Sequence, residues 1–325
     1  MAATELIRVG VLACSRYVHT KTIWGPIIEP EVDGDSGASR PRLTQMAITH
    51  VWDVDRSGAE DFVRPYKDAQ VVDNYWDMVG KVDAVILDDF DSCRHFKHLA
   101  RPYLEAGVPM FINRPFALNL EDALTILDLA ARHNTPIMSG SSFEYAPEVA
   151  QIKRDIEAVA PLTGYCVANS MSDFATHGIH GLFFAHACIG SGIRSASYLT
   201  PDWRTPNGLV TIEHEAMDGG DPFFGSVQEV SGPWAWMRVF GSRTFEESVQ
   251  TGPDFWPPLV LEMQRMFQTR QMPQTHDQLL EKTKLFLAAF KSHVECAGAP
   301  VALDEIGDWT APFLNPDPYP DGFFS

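Results

Sequence analysis

The sequence predicts an α/β protein of two domains, a doubly wound parallel sheet followed by an α+β domain built on an antiparallel sheet. Three observations predict it. Residues 1–145 alternate short apolar runs with segments of helical period, the pattern of parallel strands joined by crossover helices. Residues 146–325 carry β-prone alternation punctuated by turn residues, then one long helical stretch. The length of 325 residues exceeds that at which a single core stops growing.

In order, the first-half strands are "LIRVGVLA", "MAITHVWDVD", "VDAVILDD", "VPMFINRP" and "TPIMSGSS". Helices are expected over "SGAEDFVRPY", over "SCRHFKHLARPYLEAG" with Ser92 as N-cap and Gly107 as stop, and over "NLEDALTILDLAARHN". The stretch "EPEVDGDSGASRPR" breaks any helix and reads as an exposed loop. In the second half, "GYCVANSMSDF", "GLVTIEHEAM", "SVQEVSGPWAWMRVFG" and "ESVQTGPDF" read as strands, and "HDQLLEKTKLFLAAFKSHVECAG" as a helix. The ending "TAPFLNPDPYPDGFFS" has too much Pro and Asp for regular structure, so its aromatic residues need the body of the protein or a second subunit to pack on.

A formal net charge of −18 repels a phosphate backbone and argues against nucleic acid as a partner. No apolar run has the length to span a bilayer, and "MAATELIRVG" lacks a signal-peptide core, so a cytoplasmic location without membrane attachment is expected. Five scattered cysteines, Cys14, Cys93, Cys166, Cys188 and Cys296, show neither zinc-site nor disulfide spacing and read as reduced thiols. Cys14 is the one whose place before a helix start would favour a reactive thiolate.

In a doubly wound sheet ligands bind outside the carboxyl ends of the strands, so the residues ending each run are the candidates. A dinucleotide loop needs glycine for its tight turn, its close approach to the pyrophosphate and its helix packing. Here those places fall on Ala13, Ser15 and Val18 of "RVGVLACSRYVHTKTIW". Ser15 can add a hydroxyl to a phosphate contact, and Arg16, Tyr17 or His19 can enter the crevice, Arg16 as a phosphate partner; exposed helix-start residues are the equal alternative. Asp53, ending "VWDVD", would accept from an adenosine ribose, which favours NAD over NADP; it serves equally as a turn or N-cap aspartate. Asp88, Asp89 and Asp91 give the next strand end a negative potential; Asp88 is a candidate cofactor contact, as is His95, which opens the helix beyond it or only caps it.

The most specific element is "AGVPMFINRPFALNLEDALTI", a strand ending in Asn113-Arg114-Pro115 before a helix start, which sets a fixed cation at the sheet edge. Here the sequence resembles the Gfo/Idh/MocA oxidoreductases, named for glucose-fructose oxidoreductase, inositol dehydrogenase and the rhizopine-catabolism protein. The likeness continues through "THVWDVD", "CRHFKHLARPYLEAG", "HGIHGLFFAHACIGSG" and "AFKSHVECAGAPVALDEI", nearly the whole chain. It implies an N-terminal Rossmann domain, a C-terminal domain with a large, open, mostly antiparallel sheet, and NAD(P)-dependent chemistry on a sugar, inositol or related polyol. The family's Lys falls on Arg114, its preceding acid on Asn113, and its catalytic His on His180, with Thr176 in place of the motif's Asp.

Arginine stays charged, so Arg114 orients substrate or nicotinamide or stabilises an oxyanion, while proton transfer falls to His180. His177 or Asp173 would replace the missing aspartate as a partner of the imidazole. His177 and His180 with His186 and Asp173 also compose a tolerable metal-ligand set; the reading retained has no metal. The expected function is an NAD(P)-dependent oxidoreductase of a hydroxyl or keto group on a sugar, cyclitol or polyol, acting as a homo-oligomer. The alternative is a non-redox lyase, isomerase or hydrolase on the same fold.

Overall fold

The computed structural model describes residues 6–16, 19–29, 42–169, 172–217, 219–232 and 235–324. Its first sheet contains β1 (Ile7–Leu12), β2 (Met46–Trp52), β3 (Gln70–Val71), β4 (Ala84–Leu87), β5 (Met110–Ile112) and β6 (Ile137–Met138), all parallel, in the order β3-β2-β1-β4-β5-β6. This is the doubly wound order, and it puts the topological switch between β1 and β4. Residues 84–87 are buried throughout, as a strand covered on both faces requires.

Its helices are α1 (Gly25–Ile28), preceded by a π-helical turn Thr20–Trp24, α2 (Arg56–Val63), α3 (Phe96–Glu105) and α4 (Leu120–Arg132). Asp55, not Asp53, caps α2, accepting from Gly58 N at 3.2 Å. Ser92 is not a cap either. A 3-10 segment, Phe90–His95, precedes α3, and Asp89 caps it by accepting from Asp91 N at 3.0 Å. Gly107, at φ +71°, ends that helical stretch as expected.

After α5 (Pro147–Val159) the second sheet forms from β7 (Gly164–Asn169), β8 (Ile193–Leu199), β9 (Leu209–His214), β10 (Phe223–Gln228), β11 (Ala235–Phe240), β12 (Thr244–Val249) and β13 (Val301–Ala302). Its order is β12-β11-β7-β10-β9-β8-β13, antiparallel except for β10 beside β7. α6 (Ile179–Ile189) and α8 (His276–Val294) touch one another, α6 meeting β7 and β10 and α8 meeting β8. Between the strands and α8, α7 (Pro257–Thr269) returns to the first sheet, where Leu259, Val260, Met263 and Met266 share a buried cluster with Val9, Val11 and Ile48. The two-residue strand β3, the strand β8 and the helix α7 have no counterpart among the segments read from the sequence. Among the described residues no helix is long and apolar enough to cross a membrane.

Candidate active site

β5 carries Asn113 and Arg114 to the carboxyl edge of the first sheet, both buried. The Asn113 amide donates from Nδ2 to Asp88 O (2.6 Å) and Oδ1 (3.2 Å), while its Oδ1 accepts from Arg114 N (2.9 Å) and Nη1 (3.3 Å). A carboxylate at 113 would face that of Asp88, so the amide suits this neighbour. Arg114 Nη2 stands 3.0 Å from His180 Nε2, and Ser141 Oγ stands 2.6 Å from His180 Nδ1. Guanidinium nitrogens only donate, so Nε2 must accept; the imidazole proton then sits on Nδ1 and is given to Ser141. Burial, reinforced by the positive charge of Arg114, holds His180 well below the ordinary histidine range. It is thus a neutral imidazole with its basic lone pair turned to Arg114.

Ser141 is fixed from below. Its backbone N–H donates to Glu144 Oε1 at 2.6 Å, and Glu144 Oε2 is paired to the buried Lys282 Nζ at 2.7 Å. Lys282 also donates to Ser139 O and Gln274 Oε1, both at 3.0 Å. A Cβ on Gly140 would come within 2.4 Å of Glu144 Oε1, so only glycine leaves room for this pair. The spacing Ser141-x-x-Glu144 is a capping-box signature visible in "SGSSFEY"; it signals the cap and not the contact with His180.

Asp173 and His177 do not supply that partner. Asp173 caps the π-helical turn Phe174–Gly178 through Thr176 N (2.8 Å), and His177 Nδ1 stands 2.7 Å from both Ser172 Oγ and Thr176 Oγ1. His186 is turned away, with Nε2 at 3.2 Å from Glu281 Oε2. The three histidines and Asp173 therefore do not converge on one point. His19 stacks on Trp24 at 4.9 Å between ring centres and reaches Asn113 Nδ2 at 3.3 Å. Together, His19, Asn113, Arg114, His177 and His180 line a cavity of about 190 Å³, walled by Trp24, Phe143, Phe255 and Trp256.

The other end of the crevice is built differently. Ala13 has φ +57°, so the turn after β1 keeps the backbone shape that glycine usually supplies. Asp53 accepts from Ser15 N and from Asp55 N, each at 2.8 Å, binding the turn to the end of β2. Asp88 Oδ2 accepts from Thr20 N at 2.7 Å and so holds the start of the π-helical turn. Arg16 is half-exposed, its Nη1 3.9 Å from Asp91 Oδ2. Tyr17 and Val18 lie outside the described residues. Cys14 is buried, and burial followed by the nearby Asp53 and Asp88 pushes its thiol well above the ordinary value, which removes the case for a reactive thiolate.

Over these strand ends lies the C-terminal segment. Asn315 Nδ2 donates to Asp91 Oδ1 (2.7 Å), His95 Nε2 meets Asp317 Oδ2 (2.7 Å), and Tyr319 Oη donates to Ser92 Oγ (3.1 Å). Trp52 faces Tyr319 and Phe323 at 6.3 and 6.1 Å, and Phe324 stacks on His95 at 4.7 Å. Tyr319 is close enough to Asp53 and Asp89 for their charges to act on its phenol. His95, expected at the cofactor or as a helix cap, instead holds this segment. In a doubly wound fold the adenosine would lie outside the ends of β1, β2 and β4. The turn, Asp53 and the partnerless buried Ser15 Oγ suit a dinucleotide in kind, but residues 311–324 lie over the strand ends at which its adenosine would sit.

Comparison with known proteins agrees with the fold. Residues 33–141 match the Gfo/Idh/MocA model, described as "Oxidoreductase family, NAD-binding Rossmann fold"; the match begins beyond the glycine-poor turn. Similar solved structures include myo-inositol dehydrogenase from Lactobacillus casei in complex with NAD(H) and myo-inositol (TM-score 0.74, 15% identity, covering 91% of this chain and 96% of that one). A probable dehydrogenase from Thermotoga maritima gives 0.73 at 14% identity, covering 92% and 100%. An oxidoreductase from Agrobacterium radiobacter in complex with NAD+, L-tartaric acid and magnesium gives 0.69 at 14% identity, covering 93% and 99%. Residues 33–141 are thus similar in sequence to the NAD-binding Rossmann segment of the Gfo/Idh/MocA oxidoreductases, and the chain shares its fold with these dehydrogenases over more than nine-tenths of its length.

Proposed function

We propose that the protein is an NAD-dependent oxidoreductase acting on a hydroxyl or keto group of a sugar, cyclitol or related polyol, with His180 as acid-base residue and Arg114 as orienting cation. The observation that carries this reading is the neutral His180 bonded through Nε2 to a fixed cation at the cavity wall; the lone pair that Arg114 holds becomes free for a hydroxyl once the guanidinium turns to the substrate. A bound dinucleotide would supply the hydride acceptor or donor. His180 takes or returns the hydroxyl proton at Nε2, and Ser141 keeps the ring oriented through Nδ1. Arg114 stabilises negative charge on the reacting oxygen, and the aromatic walls exclude water. His177, on the same wall and 5.9 Å from His180 between ring centres, helps position substrate.

Asp53 would favour NAD, since a 2′-phosphate would meet its carboxylate; Arg56, the nearby cation, is engaged by Glu60 (3.1 Å) and Asp73 (2.6 Å). NAD binding on this reading requires residues 311–324 to leave the adenosine end. That requirement also favours the rival, a non-redox enzyme with the segment permanently docked. The test is titration of the full chain and of a chain ending after Thr310 with NAD and NADP, followed by reduced-nicotinamide absorbance with a polyol panel. NAD binding with turnover supports the oxidoreductase; no dinucleotide binding by either form gives the rival.

A further inference from the structure

We infer that the cavity takes a carboxylate-bearing ligand, specifically one whose carboxylate is next to the reacting oxygen: a 2-hydroxy- or 2-keto-carboxylate, sugar acids included. The inference rests on the proposed function only for which oxygen reacts.

Charge comes first. Arg114 is 2% exposed and, among the described residues, is the sole permanently charged one lining the cavity, where no described carboxylate stands. Among the described residues no carboxylate oxygen lies within 4 Å of its guanidinium. The acids nearest in influence, Asp88 and Asp173, use their oxygens on Thr20 N, Asn113 Nδ2 and Thr176 N. Arg114 Nη1 and Nη2 meet only the neutral Asn113 Oδ1 and His180 Nε2, and Nε has no partner. A buried cation without a counter-charge is costly, and a ligand anion removes that cost.

Geometry then selects the ligand. Arg114 Nη2 and His180 Nε2 are 3.0 Å apart, so a carboxylate that draws the guanidinium to itself releases the imidazole lone pair for a hydroxyl on the adjacent carbon. A neutral polyol would leave Arg114 unpaired. It would also find no carboxylate in the lining to accept from its several hydroxyls, whereas Trp24, Phe143, Phe255 and Trp256 suit a compact ligand with one apolar side.

The experiment is calorimetric titration of the full chain, with and without NAD, using lactate and tartrate against glycerol and myo-inositol. The carboxylates should bind at least about tenfold more tightly, and added salt should weaken them alone. Arg114→Gln should remove that preference and Arg114→Lys should keep it in part. Equal or tighter binding of the neutral polyols by the parent overturns the inference, whether or not the Gln variant folds; so does a folded Gln variant that binds lactate as the parent does. Turnover answers separately. A carboxylate bound but never oxidised or reduced in the presence of bound NAD supports the inference and defeats the oxidoreductase reading, and a neutral polyol turned over without carboxylate binding does the reverse.

Discussion

The two ends of the crevice differ in kind although one sheet edge builds both. At the β2–β4 end, Asp53, Asp89 and Asp91 are buried under the chain's own C-terminal segment, and their hydrogen bonds go to backbone, Ser92 and Asn315. At the β5–β6 end, Arg114 and His180 face a cavity and bond mainly to each other and to Asn113 and Ser141. Each end leaves a buried polar atom without a partner, Ser15 Oγ at the first and Arg114 Nε at the second, and at the second that atom belongs to a cation lining a cavity. Unsatisfied groups in an accessible cavity mark where a ligand is needed.

The largest effect should come from the open end. His180→Ala is expected to lower turnover about 10²–10⁴-fold with cofactor affinity nearly unchanged, while His177→Ala costs about tenfold or less; steady-state kinetics with direct NAD titration checks both. A similar loss from both variants would erase the distinction drawn between the two histidines.

Next comes the opposite pH response of the two ends. Burial, followed by the charge of Asp91, raises the Asp89 carboxyl to about 8, so the folded state holds a proton the unfolded chain has released, and the stability this group contributes is lost as pH rises from about 4 to about 8. His180 runs the other way. Its lowered folded value means that stability is lost as pH falls below the ordinary histidine range. Asp89→Asn should flatten the alkaline fall by about 1–3 kcal/mol in denaturant unfolding at about pH 5 and 8. An unchanged slope would show that Asp89 does not carry it.

Ending the chain after Thr310 should tighten NAD binding by about tenfold, or about 1.4 kcal/mol, at some cost in stability from exposing Trp52. Unchanged affinity in calorimetry would break the comparison, since the segment would then not compete for the adenosine end. The smallest effect is expected at Ala13. Ala13→Gly should stay within about 0.5 kcal/mol of the parent, because relief of a left-handed alanine, about 1 kcal/mol, offsets a lost buried methyl, about 0.8 kcal/mol. Ala130→Gly, inside α4, should cost about 1.5 kcal/mol or more in the same denaturation assay.

Most of the first sheet was legible because fully buried parallel strands such as "VDAVILDD" read as short apolar runs between turn residues. Arg114 and His180 were legible from their frames, but their adjacency joins residues 66 apart and is a property of packing alone. Ser141 was hidden by its ordinary role, since a Ser-x-x-Glu box announces a cap and says nothing of an imidazole on the far side of the hydroxyl. The C-terminal segment was read as needing a surface, and which surface depended on contacts such as Asn315 with Asp91, 224 residues apart. No periodic pattern encodes those.

The docked segment has a consequence for how cofactor affinity would be read. A chain segment tethered beside the site it covers acts as a competitor whose effective concentration is fixed near the millimolar range by its linker and is the same at every protein concentration. Binding would remain hyperbolic with a single site, and the measured dissociation constant would be the intrinsic one divided by the fraction of molecules with the segment released. Dilution would not relieve this competition. A weak NAD constant in the intact chain would then measure how tightly Tyr319 and its neighbours hold the strand ends, as well as how well the glycine-poor turn holds a pyrophosphate.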